Sequence, residues 1–181
     1  QPHVLAYGRL VKEKGFDVFL EAISLLHSTH NNWKFTIAGD GIEREALVSQ
    51  AKDLGIRDVV DFPGWVPPDQ VHKLINNCLL VVVPSRWQEP FGLTALQAMQ
   101  YGRPVVATRV GGLPEVIEQS KTGLIVSPQN AESLADAIER LLTDFDLLQA
   151  YGIAASQRAA SKFSWVNCVK KYEALYTELN L

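Results

Sequence analysis

Six short apolar runs, several of them rich in Val and Ile, recur along this chain of 181 residues with longer segments of helical period between them. The runs are HVLAYG (3–8), KFTIAG (34–39), VVDFPG (59–64), LLVVVP (79–84), PVVATR (104–109) and GLIVS (123–127). Strands without polar alternation must be covered on both faces, which predicts a buried sheet. Between the runs, FDVFLEAISLLHSTH, IEREALVSQAKDLG, PPDQVHKLINN and LTALQAMQYG carry apolar residues at three- and four-residue spacing. Gly55 and Gly102 stand where a helix C-terminal cap belongs, and Pro67 and Pro68 where a helix begins. Strands and helices that alternate through short links require right-handed crossovers, so the expected fold is α/β with a parallel sheet flanked by helices. Beyond residue 130 the strands stop, and C-terminal helices are expected at about 131–143, 144–161 and 164–180, the last capped by Ser164.

With 47% hydrophobic residues the chain can bury one well-cored domain, and 1–181 is read as a single domain. Its formal charge of −3, with Lys and Arg scattered singly, offers no footprint for nucleic acid or an anionic membrane. No apolar run approaches the ~20 residues that span a bilayer, and no signal peptide opens the chain. A cytoplasmic protein is expected, with Cys78 and Cys168 as two reduced core thiols. The chain begins at Gln1 without Met and enters a strand almost at once, the pattern expected of part of something longer.

In an open parallel sheet the ligand lies outside the carboxyl ends of the strands, so the segments that follow each strand carry the functional signal. After the first, Gly8 permits a sharp turn, and Arg9 and Lys14 place two cations in one loop. They are either a grip for a phosphate pair or two solvated charges. After the second, Gly39 and Gly41 flank Asp40 and allow a backbone to approach closely, but G-x-G-x-x-G is absent and no dinucleotide fingerprint is present. After the third, two prolines fix the backbone around Val66, which suits either a rigid edge for a flat heterocycle or an ordinary proline-started helix. After the fourth, the amides of Gly92, Leu93 and Thr94 open a helix and make an anion site that needs no metal. Glu89 precedes Pro90, which turns it into the loop, where its carboxylate can accept hydrogen bonds from hydroxyls attached to the anion. After the fifth, Gly111 and Gly112 precede a short helix that starts at Pro114.

Taken in order, GRLVKEKG, AGDG, FPGWVP, VVPSRWQEPFGLTALQAMQYGRPVVATRVGGLPEVI and GLIVSPQN resemble the C-terminal, nucleotide-sugar-binding domain of the family-4 retaining glycosyltransferases. Their GT-B fold sets two Rossmann-like domains across a cleft. The likeness runs from about residue 3 to residue 143, with a family-type helical tail. It implies that Arg9 and Lys14 grip the donor diphosphate, that the Val66 backbone pairs with the base, and that Glu89 contacts hydroxyls of the donor sugar. Phe91, Gly92, Leu93 and Thr94 match the loop whose amides meet sugar and phosphates, with Gly8 and Gly39 beside them. Arg9, Lys14 and Glu89 are thereby the candidate catalytic residues.

The resemblance further implies transfer of a hexose from a nucleoside-diphosphate sugar, with a UDP-sugar as the expected donor, to a glycan, lipid or small-molecule acceptor. No metal and no cofactor beyond the donor substrate is expected. The resemblance implies displacement on the front face with retention, the leaving diphosphate being stabilised by Arg9, Lys14 and the helix amides. In the family it resembles, the acceptor site belongs to an N-terminal domain, which this chain is read as lacking, so the chain alone is expected to bind donor and barely turn over. Peripheral contact of the full-length protein with the inner membrane stays open. So do two other readings: an epimerase or phosphorylase on the same two-domain plan, and a non-catalytic Rossmann-like module that senses a nucleotide or docks a partner.

One position departs from the family pattern, which sets two Glu residues apart with seven residues between them; here Gln97 stands in the second place after Glu89. The family's second carboxylate accepts from ribose hydroxyls, and Gln97, three residues after Thr94 on one helix face, can reach the same ligand without charge. An amide does not titrate, so Glu89 and Gln97 are not a catalytic carboxylate pair of the glycosidase kind. A D-x-D string, Asp144-Phe145-Asp146, lies at a junction between C-terminal helices and is read as structural. Trp65 and Trp87 flank the loops and are assigned to ordinary packing, with stacking on a base or sugar as the alternative. Gln97→Glu is expected to tighten nucleotide binding modestly, and calorimetry that shows no gain would remove residue 97 from the ribose contacts.

Overall fold

The structure, a computed structural model, describes residues 2–179. All six expected strands form, each within its expected run: β1 (His3–Tyr7), β2 (Lys34–Ala38), β3 (Val60–Gly64), β4 (Leu80–Val83), β5 (Val105–Thr108) and β6 (Gly123–Val126). The helices are α1 (Phe16–His27), α2 (Arg44–Asp53), α3 (Pro68–Asn77), α4 (Leu93–Gln100), α5 (Leu113–Val116), α6 (Ala131–Thr143), α7 (Phe145–Lys162) and α8 (Trp165–Glu178). Residue 180, to which the last helix was expected to run, lies outside the described residues. A 3-10 turn at Lys12–Lys14, not expected from the sequence, tightens the loop after β1.

All strand pairs are parallel and the order is β3-β2-β1-β4-β5-β6. That is the doubly wound Rossmann order, with its direction of growth reversing between β1 and β4. Because side chains alternate along a strand, each strand feeds two cores. Val4 and Ala6 of β1 join α1, α2 and α6 on one face, whereas Leu5 joins α3, α4 and α5 on the other. Strands β4 and β5 are buried at every position, as their unbroken Val runs require. The edge strand β3 alternates instead, exposing Asp61 and Pro63, and an edge is where a proline that cannot donate to a ladder is tolerated.

Ser164 caps α8 by accepting from the Asn167 amide at 3.2 Å, as expected. The helix then buries none of its described residues and leaves Trp165, Tyr172 and Tyr176 largely exposed. This corrects the reading of Cys168 as a core thiol: it stands exposed on α8. Cys78 is buried, and desolvation pushes its thiol up to about 12. Among the described residues no helix is long and apolar enough to cross a membrane.

Phe19 of α1 and Phe35 of β2 meet edge to face with centroids 6.2 Å apart, both sealed from solvent. Phe19→Ala is expected to cost about 3–5 kcal/mol of unfolding free energy in urea titration, since the cavity left between sheet and helix cannot collapse.

Candidate functional site

The reversal between β1 and β4 opens a crevice at the carboxyl ends of the strands. Two adjoining cavities lie there, of about 240 and 230 Å³. Tyr7, Gly8 and Arg9, where β1 ends, line both and separate them. The first is mainly apolar, walled by Trp65, Val66, Val71 and Leu74. The second is ringed by Lys14, Ser85, Glu89, Gly92 and Thr94. Gly39 holds the floor of the first: at φ +139° its added Cβ would lie 1.8 Å from the Gly8 carbonyl oxygen, so only glycine lets the loops after β1 and β2 touch. A larger cavity of about 590 Å³ sits at the opposite, amino ends of β4 and β5, beside Leu79 and Pro104, where this fold does not place its ligands.

The charged groups of the second cavity are brought together by lacing between two loops. The amides of Arg86 and Trp87 both donate to the Glu13 carbonyl, at 2.8 and 3.3 Å. Arg86 Nη2 meets Asp17 Oδ2 at 2.6 Å. The 3-10 turn is thereby pinned to the loop after β4, and Lys14 Nζ reaches Glu89 Oε1 at 2.5 Å although 75 positions separate them. Ser85 Oγ donates to the same oxygen at 2.5 Å, while the Ser85 carbonyl accepts from the buried Thr108 hydroxyl. Behind Glu89, the Gly112 amide donates to its carbonyl at 2.7 Å. Gly111, at φ +52°, has no room for a Cβ, which would lie 2.1 Å from that carbonyl oxygen. A carboxylate fixed by a lysine, a buried hydroxyl and a glycine pair is a preorganised group.

Gly92 caps α4 with φ +100°; the first-turn amides of the helix have no intrahelical acceptor, and Gly92 and Thr94 line the second cavity. Of the candidate residues, the structure gathers Gly8, Arg9, Lys14, Glu89, Gly92 and Thr94 around this cavity, and Gly8, Arg9, Gly39 and Val66 around its neighbour. Phe91, Leu93 and Gln97 line neither. The Phe91 ring packs edge to face on Phe163, 5.8 Å away, and the Leu93 side chain is largely exposed. The Gln97 side chain accepts from the Tyr7 hydroxyl at 3.0 Å. Asp144 of the D-x-D string caps α7, accepting from the Leu147 amide at 3.0 Å. Trp65 and Trp87 are not packed as expected. They are 67% and 64% exposed, because each lies just past the end of a strand where no further element covers it, and Trp65 forms one wall of the apolar cavity.

The profile of the family described as Glycosyl transferases group 1 matches residues 1–158. The chain belongs to this family. The alpha-D-kanosaminyltransferase of Streptomyces kanamyceticus is 35% identical over the whole of this chain, which spans 47% of that protein. Among solved structures, the C-terminal domain of a group 1 glycosyl transferase from Francisella tularensis superposes with a TM-score of 0.83 at 25% identity, covering 91% of this chain and 87% of its own. HepE of Anabaena, solved in complex with UDP and glucose, gives a TM-score of 0.88 at 26% identity and covers 97% of this chain and 48% of its own. The chain thus spans about half the length of the curated relatives it matches.

Sequence reasoning did not assign Tyr7, Ser85, Arg86 or Asp17 to the site of this group 1 domain. Ser85 had a faint signal, a small polar residue directly after an apolar strand, whereas the Arg86–Asp17 pair had none. Ser85→Ala removes one of the two donors to Glu89 Oε1 and is expected to lower stability by about 1.5–3 kcal/mol in urea unfolding, the range for a hydrogen bond to a charged group. An unchanged midpoint would show that the Ser85 hydroxyl does not hold the carboxylate.

Proposed function

We propose that this group 1 domain is the donor-binding half of a retaining, metal-independent glycosyltransferase and takes a nucleoside-diphosphate sugar, with a UDP-sugar as the donor. The observation that carries the reading is the pairing of unlike cavities across Tyr7–Arg9: one apolar and walled by Trp65 and Val66, the other ringed by a cation, a carboxylate and helix amides. A nucleotide sugar has the same order of parts: a flat base, a charged diphosphate and a neutral polyol. The UDP and glucose bound by Anabaena HepE support the same assignment.

In this reading the base lies against Val66 with its edge on the backbone that Pro67 holds. The diphosphate meets Arg9, Lys14 and the α4 amides. Lys14 Nζ has three donors, so it can keep Glu89 and still contact a phosphate oxygen. The carboxylate thereby positions the cation as well as accepting hydrogen bonds from the donor sugar. As the bond to the sugar breaks, negative charge grows on the diphosphate, and these fixed donors stabilise it more than they stabilise the ground state. The span of about half the relatives' length supports an acceptor-binding N-terminal domain in the full-length protein, against which the apolar side of α8 would find cover. Hexose transfer to an added acceptor, without net epimerisation or phosphorolysis, is the activity expected of that protein.

A thermal-shift panel of UDP-, GDP- and ADP-sugars is expected to favour the UDP-sugar, since a ligand present at 100 times its dissociation constant adds about 2.7 kcal/mol of apparent stability. Glu89→Ala should weaken UDP-sugar binding more than UDP binding. Equal losses for both would remove Glu89 from the sugar contacts, and no shift with any nucleotide sugar would overturn the assignment.

A further inference from the structure

Tyr7 lines both cavities at the point where base side and phosphate side join. Its hydroxyl stands 3.0 Å from Gln97 Oε1 and 3.3 Å from the Thr94 carbonyl, and its single proton serves the nearer acceptor, Gln97. Burial pushes the phenol pKa up, so the group is a neutral donor throughout the physiological range. A carboxamide carries its acceptor and its donors on opposite arms. With Oε1 held by Tyr7, the arm left free at Gln97 is Nε2, which bonds to no described protein atom and is not sealed from solvent. A carboxylate at this position would present the same kind of atom whichever way it turned; an amide would not, and needs a partner that fixes its orientation.

We propose that Tyr7 is a positioning residue for the ribose of the bound nucleotide, holding the Gln97 amide oxygen so that Nε2 is the group presented to a ribose oxygen. This rests on the nucleotide-sugar reading above, in which the span between base and diphosphate is the ribose. It gives the Glu-to-Gln departure a structural counterpart at the end of β1. It also makes ribose recognition here depend on two side chains 90 positions apart, joined by one hydrogen bond.

The test is calorimetric titration of the protein with UDP and with its 2′-deoxy and 3′-deoxy forms. Wild type should prefer UDP over at least one deoxy form. Tyr7→Phe keeps the ring as a wall and removes only the hydroxyl; it should weaken UDP by about three- to tenfold, the worth of one net hydrogen bond, and shrink the preference over the deoxy form. In a Gln97→Glu background the same change should alter UDP affinity by less than about twofold, because a carboxylate needs no orienting partner. A purely structural tyrosine would give equal losses for UDP and deoxy-UDP in both backgrounds, and that result would overturn the proposal. Should Tyr7→Phe lower the thermal midpoint sharply, Gln97→Met supplies the second reading: it must lose the same preference, and retention of it sinks the idea. A wild-type protein that binds no UDP would overturn the nucleotide assignment itself, whereas normal binding with an undiminished preference in Tyr7→Phe overturns the Tyr7 role alone.

Discussion

A parallel sheet buried on both faces places every strand's carboxyl end along one rim, and the order β3-β2-β1-β4-β5-β6 parts the connections at the middle of that rim. The two cavities that gather the candidate site residues stand where they part. The helices that cover the two faces are therefore also what opens the crevice: α1, α2 and α6 draw the chain to one side, and α3, α4 and α5 to the other. Tyr7 to Arg9 emerge between them. Burial of Val and Ile on both faces is what fixes this geometry, since no solvated face exists onto which a helix could migrate.

Within the crevice, a negative charge stands beside the helix end that is best suited to an anion. The Lys14–Glu89 pair accounts for this. Glu89 is largely sheltered and Lys14 partly so, and a sheltered carboxylate needs both a counter-charge and hydrogen bonds, which Lys14 and Ser85 provide on one oxygen. In the proposed donor complex, a cation located by a fixed carboxylate would need little reorganisation to meet a phosphate, because Nζ retains donors to spare.

Secondary structure was read well because its cause is local. Six apolar runs of strand length, with Gly and Pro at the joints, gave six strands within a residue or two and predicted the C-terminal helices. The candidate residues Arg9, Lys14, Glu89 and Gly92 could be singled out because loops after parallel strands are the places to look, and the resemblance then gave each a role. What went astray was exposure. Trp65, Trp87 and Cys168 look like core residues by type, but each stands where the fold has no element left to cover it. Composition reports what a residue prefers, and only the sheet edges and the last helix decide whether the preference is met.

By itself, then, the sequence determined that a parallel sheet would form and which loops would line its rim, since hydrophobic period and turn chemistry act over a few residues. The tertiary structure alone decided which of those loops touch. The Glu13 carbonyl, the Arg86–Asp17 pair and the tight contact behind Gly111 bring Lys14 onto Glu89, and the β1–β4 neighbourhood brings Tyr7 onto Gln97. Those partners are 75 and 90 positions apart, and their meeting depends on packing distances of a few ångströms that no local pattern of residues encodes.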